Sequence, residues 1–187
     1  VPGGSTPLLF LQALARQDLD WTKIRLTTND ERQVALDHPR SNARLIKDAF
    51  ASNPDARAAL LALNASLNFD DLEAQVKRDI IPLDVCVLGM GNDGHTASLF
   101  PGVDKDLLDP DGKSLIAFTQ PPGDLEPRIT FSVRALLMAP HIHILIHGEE
   151  KRAVLEQAIN GTDVSLMPVR SILKYANGRL AIHYAKN

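Results

Sequence analysis

Leu88-Gly89-Met90-Gly91-Asn92-Asp93-Gly94-His95-Thr96-Ala97-Ser98-Leu99-Phe100-Pro101 follows directly on the apolar run Asp84-Val85-Cys86-Val87-Leu88. The run is short, β-branched and apolar, the composition of a buried parallel strand. Glycines at its carboxyl end let backbone N–H groups approach a ligand closely. In an open α/β sheet ligands bind at that end of the strands, so the stretch places the chemistry as well as the fold. Gly-x-Gly alone is a weak signal, common to nucleotide-binding and purely structural turns. The histidine set among the glycines is the more informative part.

Working outward, the chain alternates strand and helix patterns. Thr6 reads as a helix cap, Pro7 suits a first turn, and Leu8, Leu11 and Leu14 form an apolar stripe reaching about Gln17. Ile24 to Thr28 reads as a strand, followed by polar Asn29-Asp30-Glu31-Arg32 and a helix from about Ser41 that Pro54 ends. Ala56 to Leu67 and Leu72 to Ile80 read as helices, and Pro82 stops the pattern. Leu115 to Thr119 and Ile129 to Val133 are weaker strands around the surface loop Pro121-Pro122-Gly123. Ile142 to Ile146 is a strand and Glu149 to Ile159 an amphipathic helix; Met167-Pro168 opens a further helix, and Leu180 to His183 closes the series as a strand. The alternation predicts an α/β fold: a doubly wound, mostly parallel, Rossmann-like sheet flanked by helices.

At 187 residues and 44% hydrophobic content, residues 1–187 read as a single domain, one that buries roughly 70% of its unfolded surface. A net charge of −3 argues against a general nucleic-acid or membrane-surface binder, so any anion site must be a local cluster of donors for a small anion. The one cysteine, Cys86, lies in the apolar run and reads as a buried, inert thiol. No apolar run approaches the ~20 residues that span a bilayer, and Val1 to Pro7 does not resemble a signal peptide, so a soluble, cytoplasmic protein is expected. His38, His95, His141, His143, His147 and His183 are scattered without metal-ligand spacing. His141, His143 and His147 alternate along one strand and read as partly exposed strand residues.

His95 is the candidate general base, since a neutral imidazole takes a proton from water attacking a carbonyl. Asp93, two residues earlier, either orients that ring or closes an Asx turn within its own loop. Asn92 reads as a turn residue. Gly89 and Gly91 are candidate oxyanion donors through their backbone N–H groups. Gly3, Gly4, Ser5 and Thr6 ahead of a helix suit phosphate, which meets unpaired N–H groups and the helix dipole there. Arg32 is either a phosphate clamp or the surface partner of Glu31. Lys151 stands in a first helical turn, where a cation is unfavourable to the dipole unless an anion binds nearby; otherwise it balances Glu149 and Glu150. Arg128 either reaches substrate or anchors the loop around Pro127. Ser41 and Asn42 read as a helix cap that also touches a sugar. Ser98 lacks the strand-turn-helix context of a nucleophilic serine.

The string from Gly89 to Pro101 resembles the signature of 6-phosphogluconolactonases. The likeness continues in the same order through Gly3-Gly4-Ser5-Thr6-Pro7, Asp30-Glu31-Arg32, Ser41-Asn42, Arg128-Ile129-Thr130 and Gly148-x-x-Lys151. It runs from the first residue to about Pro168. The resemblance implies hydrolysis of 6-phospho-D-glucono-1,5-lactone, a small phosphorylated sugar lactone, in the oxidative pentose phosphate pathway. It also implies His95 as base, and Arg32 among the substrate ligands. No cofactor or metal is implied, because an activated lactone needs only a base, an oxyanion site and positioning. The family also has a strand, a helix and most of a second strand ahead of Gly3, so an N-terminally shortened domain is expected here. Amino-sugar phosphate deaminase-isomerases have a similar loop, but carry an acid soon after the histidine in a Phe-Asn-Glu-Pro run and a tyrosine where this chain has Arg32. Ser98-Leu99-Phe100-Pro101 supplies no such carboxylate. A sugar-phosphate-sensing domain is the non-catalytic alternative, one that would keep the phosphate loop without the base. The retained His95 and the lack of a basic DNA-binding segment weigh against it.

Overall fold

In the computed structural model of the chain, which describes residues 1–51, 53–56, 58–64 and 67–186 with the Ser5 side chain outside the description, the first helix begins one residue before its expected cap. Helix α1 (Ser5–Ala15) has Gly4 at its N-cap, at φ 105°, with no side-chain cap. Thr6 therefore lies inside the first turn rather than capping it. Leu11 and Ala15 are fully buried, and α1 packs against α2 (Asn42–Phe50). The cap of α2 is the expected one, with Ser41 Oγ accepting the Arg44 backbone N–H at 3.2 Å. Between them lie two short strands, β1 (Arg25–Leu26) and β2 (Asp30–Arg32).

The expected helix from Ala56 to Leu67 is not formed over the described part of that range. Ala59–Leu60 instead form β3, parallel to β1. An alanine- and leucine-rich segment satisfies either period, and pairing with β1 decides in favour of the strand. Helix α3 (Phe69–Gln75) starts at Asn68, whose side-chain oxygen accepts the Asp71 N–H at 2.9 Å, and runs on into a π turn over Val76–Ile80. Leu72 and Val76 are fully buried along it. The motif-bearing strand is β4 (Val85–Leu88). Then come β5 (Ile116–Thr119), β6 (Arg128–Phe131), α4 (Val133–Leu136), β7 (His141–His147), α5 (Glu149–Ile159), α6 (Val169–Tyr175) and β8 (Leu180–Ala185). Strand β6 ends two residues short of the expected Val133, because Ser132 caps α4 through its hydroxyl.

The parallel sheet has the order β4-β7-β8, with Cys86 opposite Ile142 and Ile144 opposite Ile182. Ile142, Ile144 and Ile146 of β7 enter the main core, while His141, His143, Leu145 and His147 alternate onto the other face. Each of those isoleucines contributes about 1.5–3 kcal/mol by burial. Helices α5 and α6 form the crossover from β7 to β8, and the fold is α/β with parallel strands flanked by helices, as expected. A second, antiparallel sheet, β2-β6-β5, has no counterpart in the sequence reading. It forms because Asp30-Glu31-Arg32, polar enough to read as loop, pairs with Thr130-Ile129-Arg128. Asn29 then ties this sheet to the first, its side-chain amide donating to the Val87 carbonyl. Among the described residues no helix is long and apolar enough to cross a membrane.

Candidate active site

The carboxyl ends of β4 and β7 and the entry to α1 surround a cleft of about 290 Å³. Gly3, Gly4 and Thr6 line it from α1, Arg32 from β2, Gly89, Gly91 and His95 from the loop after β4, and Lys151 from α5. Eight residues singled out in the sequence, from four distant segments, thus share one cavity at the end of the parallel strands where an open sheet binds its ligands. Asn42 lines it too.

The loop after β4 is held by its own backbone. Gly91 N–H donates to His95 O at 2.8 Å, and Gly94 N–H to Gly91 O at 3.1 Å. Gly91 is therefore not an oxyanion donor: its N–H is spent inside the loop that positions the histidine. The Gly89 carbonyl accepts from the Thr96 hydroxyl at 2.9 Å. Asp93 serves both roles that the sequence left open. One carboxylate oxygen accepts the His95 backbone N–H at 3.1 Å, an Asx turn, and also faces His95 Nδ1 at 2.6 Å. Partial burial opposes ionisation of Asp93, but the His95 backbone N–H and the nearby imidazole outweigh it and hold the carboxyl below its ordinary value. An ionised carboxylate can only accept, so Nδ1 carries a proton and, in the neutral ring, Nε2 keeps its lone pair. The ring leans on Phe100, centroid to centroid 5.1 Å.

Glycine at position 91 is required by this packing, since a Cβ there would lie 2.1 Å from His95 Nδ1. Gly91→Ala should displace the ring and lower kcat by about 10²-fold or more with the protein still folded, measured by turnover beside a thermal melt. Turnover equal to wild type would show that the ring position is not critical.

Arg32 does not pair with Glu31. Its guanidinium donates to the Arg40 carbonyl, and among the described residues its buried Nε has no partner. Glu31, fully buried, sits instead at the N-terminus of α2. It accepts the N–H groups of Arg32 (2.8 Å), Asn42 (2.7 Å) and Ala43 (2.8 Å) and the Ser41 hydroxyl (3.0 Å). Ser41 is thereby consumed in capping and does not line the cleft. Asn42 donates from Nδ2 to the Asp30 carbonyl at 2.8 Å, while its Oδ1 packs on Gly3.

Lys151 makes no salt bridge among the described residues. The acids it was weighed against are taken: Glu149 lies near Arg152 (3.8 Å) and Lys186 (3.7 Å), and Glu150 accepts from Asn92 at 2.6 Å. Asn92 is thus more than a turn residue, tying the histidine loop to α5. Desolvation holds the Lys151 ammonium below its ordinary value, against the opposing pull of Glu150 and Asp93. Arg128 faces Arg32 across the β2–β6 pair, donates to the Glu126 carbonyl at 2.8 Å and is not among the residues that line the cleft. Burial, then the charge of Arg32, lowers its pKa. It is the loop anchor, not a lining residue.

Two titratable lining residues are not among the candidates read from the sequence. Asp30, 8% exposed, accepts from Ser98 Oγ at 2.6 Å and so links β2 to the histidine loop. Its place beside Arg32 was the available signal. His147 lines the cleft from the end of β7, and nothing local marks it out from the other strand histidines. Ser98 is buried in its bond to Asp30, and Cys86 is inert, its thiol pushed up to about 11 by burial.

A family model described as glucosamine-6-phosphate isomerases/6-phosphogluconolactonase matches residues 1–182. A 6-phosphogluconolactonase of Rhizobium meliloti is 38% identical over 192 residues, covering 99% of this chain and 83% of the relative. One from Pseudomonas aeruginosa is 36% identical over 193 residues, covering 98% and 79%. The crystal structure of a 6-phosphogluconolactonase from Shewanella baltica superimposes with a TM-score of 0.90 at 33% identity, covering 98% of this chain and 81% of that one. A match over nearly the whole chain, in sequence and in fold, makes this protein a member of the glucosamine-6-phosphate isomerase/6-phosphogluconolactonase family.

Proposed function

We propose that the chain hydrolyses 6-phospho-D-glucono-1,5-lactone to 6-phospho-D-gluconate, the second step of the oxidative pentose phosphate pathway. The observation that carries the reading is the His95 ring, held through Nδ1 by Asp93 in a cleft that also contains two cations without carboxylate partners. Water adds to the lactone carbonyl as its proton passes to Nε2. The imidazolium then formed is stabilised by the Asp93 charge. Collapse of the tetrahedral intermediate breaks the bond from C1 to the ring oxygen, and the ring oxygen takes the proton back from the imidazolium. One water is consumed and an acid, ionised at neutral pH, is released. The phosphate rests against the Gly4-capped N-terminus of α1, Arg32 and Lys151.

The test compares lactone loss against spontaneous hydrolysis with ammonia release from glucosamine 6-phosphate. Accelerated lactone loss without ammonia supports the reading. Ammonia release would make the chain a deaminase-isomerase, and binding of sugar phosphate without either activity would make it a sensor.

Replacing Arg32 or Lys151 with Ala should lower kcat/KM for the phosphorylated lactone about 10- to 150-fold, as loss of a charge-assisted contact does, and far less for unphosphorylated glucono-1,5-lactone. Equal losses on the two substrates would assign the side chain a structural role. Because the free Lys151 ammonium deprotonates below the ordinary lysine range, affinity for 6-phosphogluconate should fall on the alkaline side earlier than an ordinary lysine would allow. Lys151→Arg should remove that decline; a decline of the same size in the Arg variant would clear Lys151 of it.

A further inference from the structure

We infer that His147 is a phosphate-binding, specificity-determining residue, whose imidazolium donates to the phosphate of a sugar phosphate held between α1 and α5. The inference rests on the proposed function and deepens it. Along β7, Ile142, Ile144 and Ile146 enter the core, so His147 stands with Leu145 on the face that looks toward α1. There it lines the cleft and also an adjoining groove of about 420 Å³, and Thr6, in the first turn of α1, borders both cavities as well. His147 is thus placed beside the open N-terminus of α1 and one residue before Gly148, the N-cap of α5, whose first turn carries Lys151. An anion at α1 lies among Thr6, Lys151 and His147.

The ring is exposed and makes no hydrogen bond among the described residues, so both its nitrogens are free for a ligand. The titratable groups around it are His183 and Tyr184 of β8 in the groove, Lys151 of α5, and His95, Asp30 and Arg32 across the cleft, with Glu149 two residues further along the chain in the first turn of α5. α1 carries no acid in its first turn. Glu149 is engaged by Arg152 and Lys186, and Asp30 by Ser98, so neither competes strongly with a phosphate for His147. A bound phosphate dianion favours the protonated ring, and binding then takes up a proton.

The experiment measures binding of 6-phospho-D-gluconate to the whole chain by calorimetry at pH 6.5 and pH 8, in buffers of different ionisation enthalpy, with gluconate as the unphosphorylated control. His147→Gln should weaken 6-phosphogluconate about 5- to 20-fold at pH 6.5, weaken it less at pH 8, and reduce proton uptake on binding. His147→Lys should restore the affinity and flatten its dependence on pH. In turnover, the Gln variant should lose kcat/KM through KM and on the phosphorylated lactone only. Unchanged affinity at pH 6.5, an equal loss for gluconate, or wild-type protein that does not bind 6-phosphogluconate would overturn the inference. Wild-type protein that binds 6-phosphogluconate with the expected His147 dependence, yet fails to hydrolyse the lactone, would overturn the proposed function and leave the His147 assignment standing.

Discussion

His95→Ala should lower kcat for the phosphorylated lactone by roughly 10²- to 10⁴-fold, the usual worth of a positioned general base, while 6-phosphogluconate binds nearly as before. The split follows from geometry. His95 is fixed through Nδ1 by a carboxylate only 2.6 Å away and leaves Nε2 for water, whereas the candidate phosphate ligands lie on other elements. Calorimetry on the variant beside its turnover measures both halves. Near-native turnover would remove His95 from the mechanism. The same assignment fixes the sign of the pH dependence. Only the unprotonated ring accepts a proton, so activity falls as acid protonates it. Asp93 stays ionised to lower pH than an ordinary aspartate, so the decline reports the ring rather than the carboxylate. An activity that stays flat into acid for as long as the protein remains folded would count against the base.

The second large effect is expected at a residue that touches no substrate. Glu31 is fully buried and its carboxylate accepts four hydrogen bonds, three of them from backbone N–H groups, two at the start of α2 and one from Arg32 in β2. A carboxylate there satisfies donors that a helix start leaves open and lies at the positive end of its dipole. Glu31→Ala would orphan those donors in a dry site, which costs about 3–5 kcal/mol and lowers Tm by roughly 6–20 °C for a chain of this length. Because the flanking residues Arg32 and Asn42 both line the cleft, affinity for sugar phosphate should fall with stability. Glu31→Gln, which keeps one acceptor oxygen, should lie between Ala and wild type. A melting temperature within about 2 °C of wild type for the Ala variant would mean that water replaces the carboxylate without cost.

The predictions differ in how visible their residues were. Glu149–Ile159 was read from the sequence with the boundaries that α5 has, because acids at a helix start and an amphipathic stripe are local signals. The histidine loop was equally legible. Its glycines, Asx turn and His95 lie within a few residues of one another, and the strand before it places the loop at a sheet's carboxyl end. Cys86 was read as buried from its immediate neighbours alone.

What the sequence by itself determined, then, is the alternation of parallel strands and helices, the loop that holds His95, and the segments from which the cleft is drawn. The first two follow from periodicity and turn chemistry within about ten residues; among the cleft segments, Arg32 was assigned to substrate only through the family resemblance. Only the tertiary structure decided that Ala59–Leu60 is a strand, that Asp30–Arg32 joins an antiparallel sheet, that Glu31 caps α2 instead of pairing with Arg32, that Arg128 bonds the Glu126 carbonyl, that Gly91 spends its N–H on His95, and that His147 reaches the cleft. Each of these is a choice between nearly equal local options. Alanine and leucine suit helix or strand, an acid can meet a cation or a row of N–H groups, and a loop N–H can face a ligand or its own carbonyl. The choice goes to whichever partner the packed chain brings within hydrogen-bonding distance, because a buried polar group left without one costs more than the difference between the alternatives.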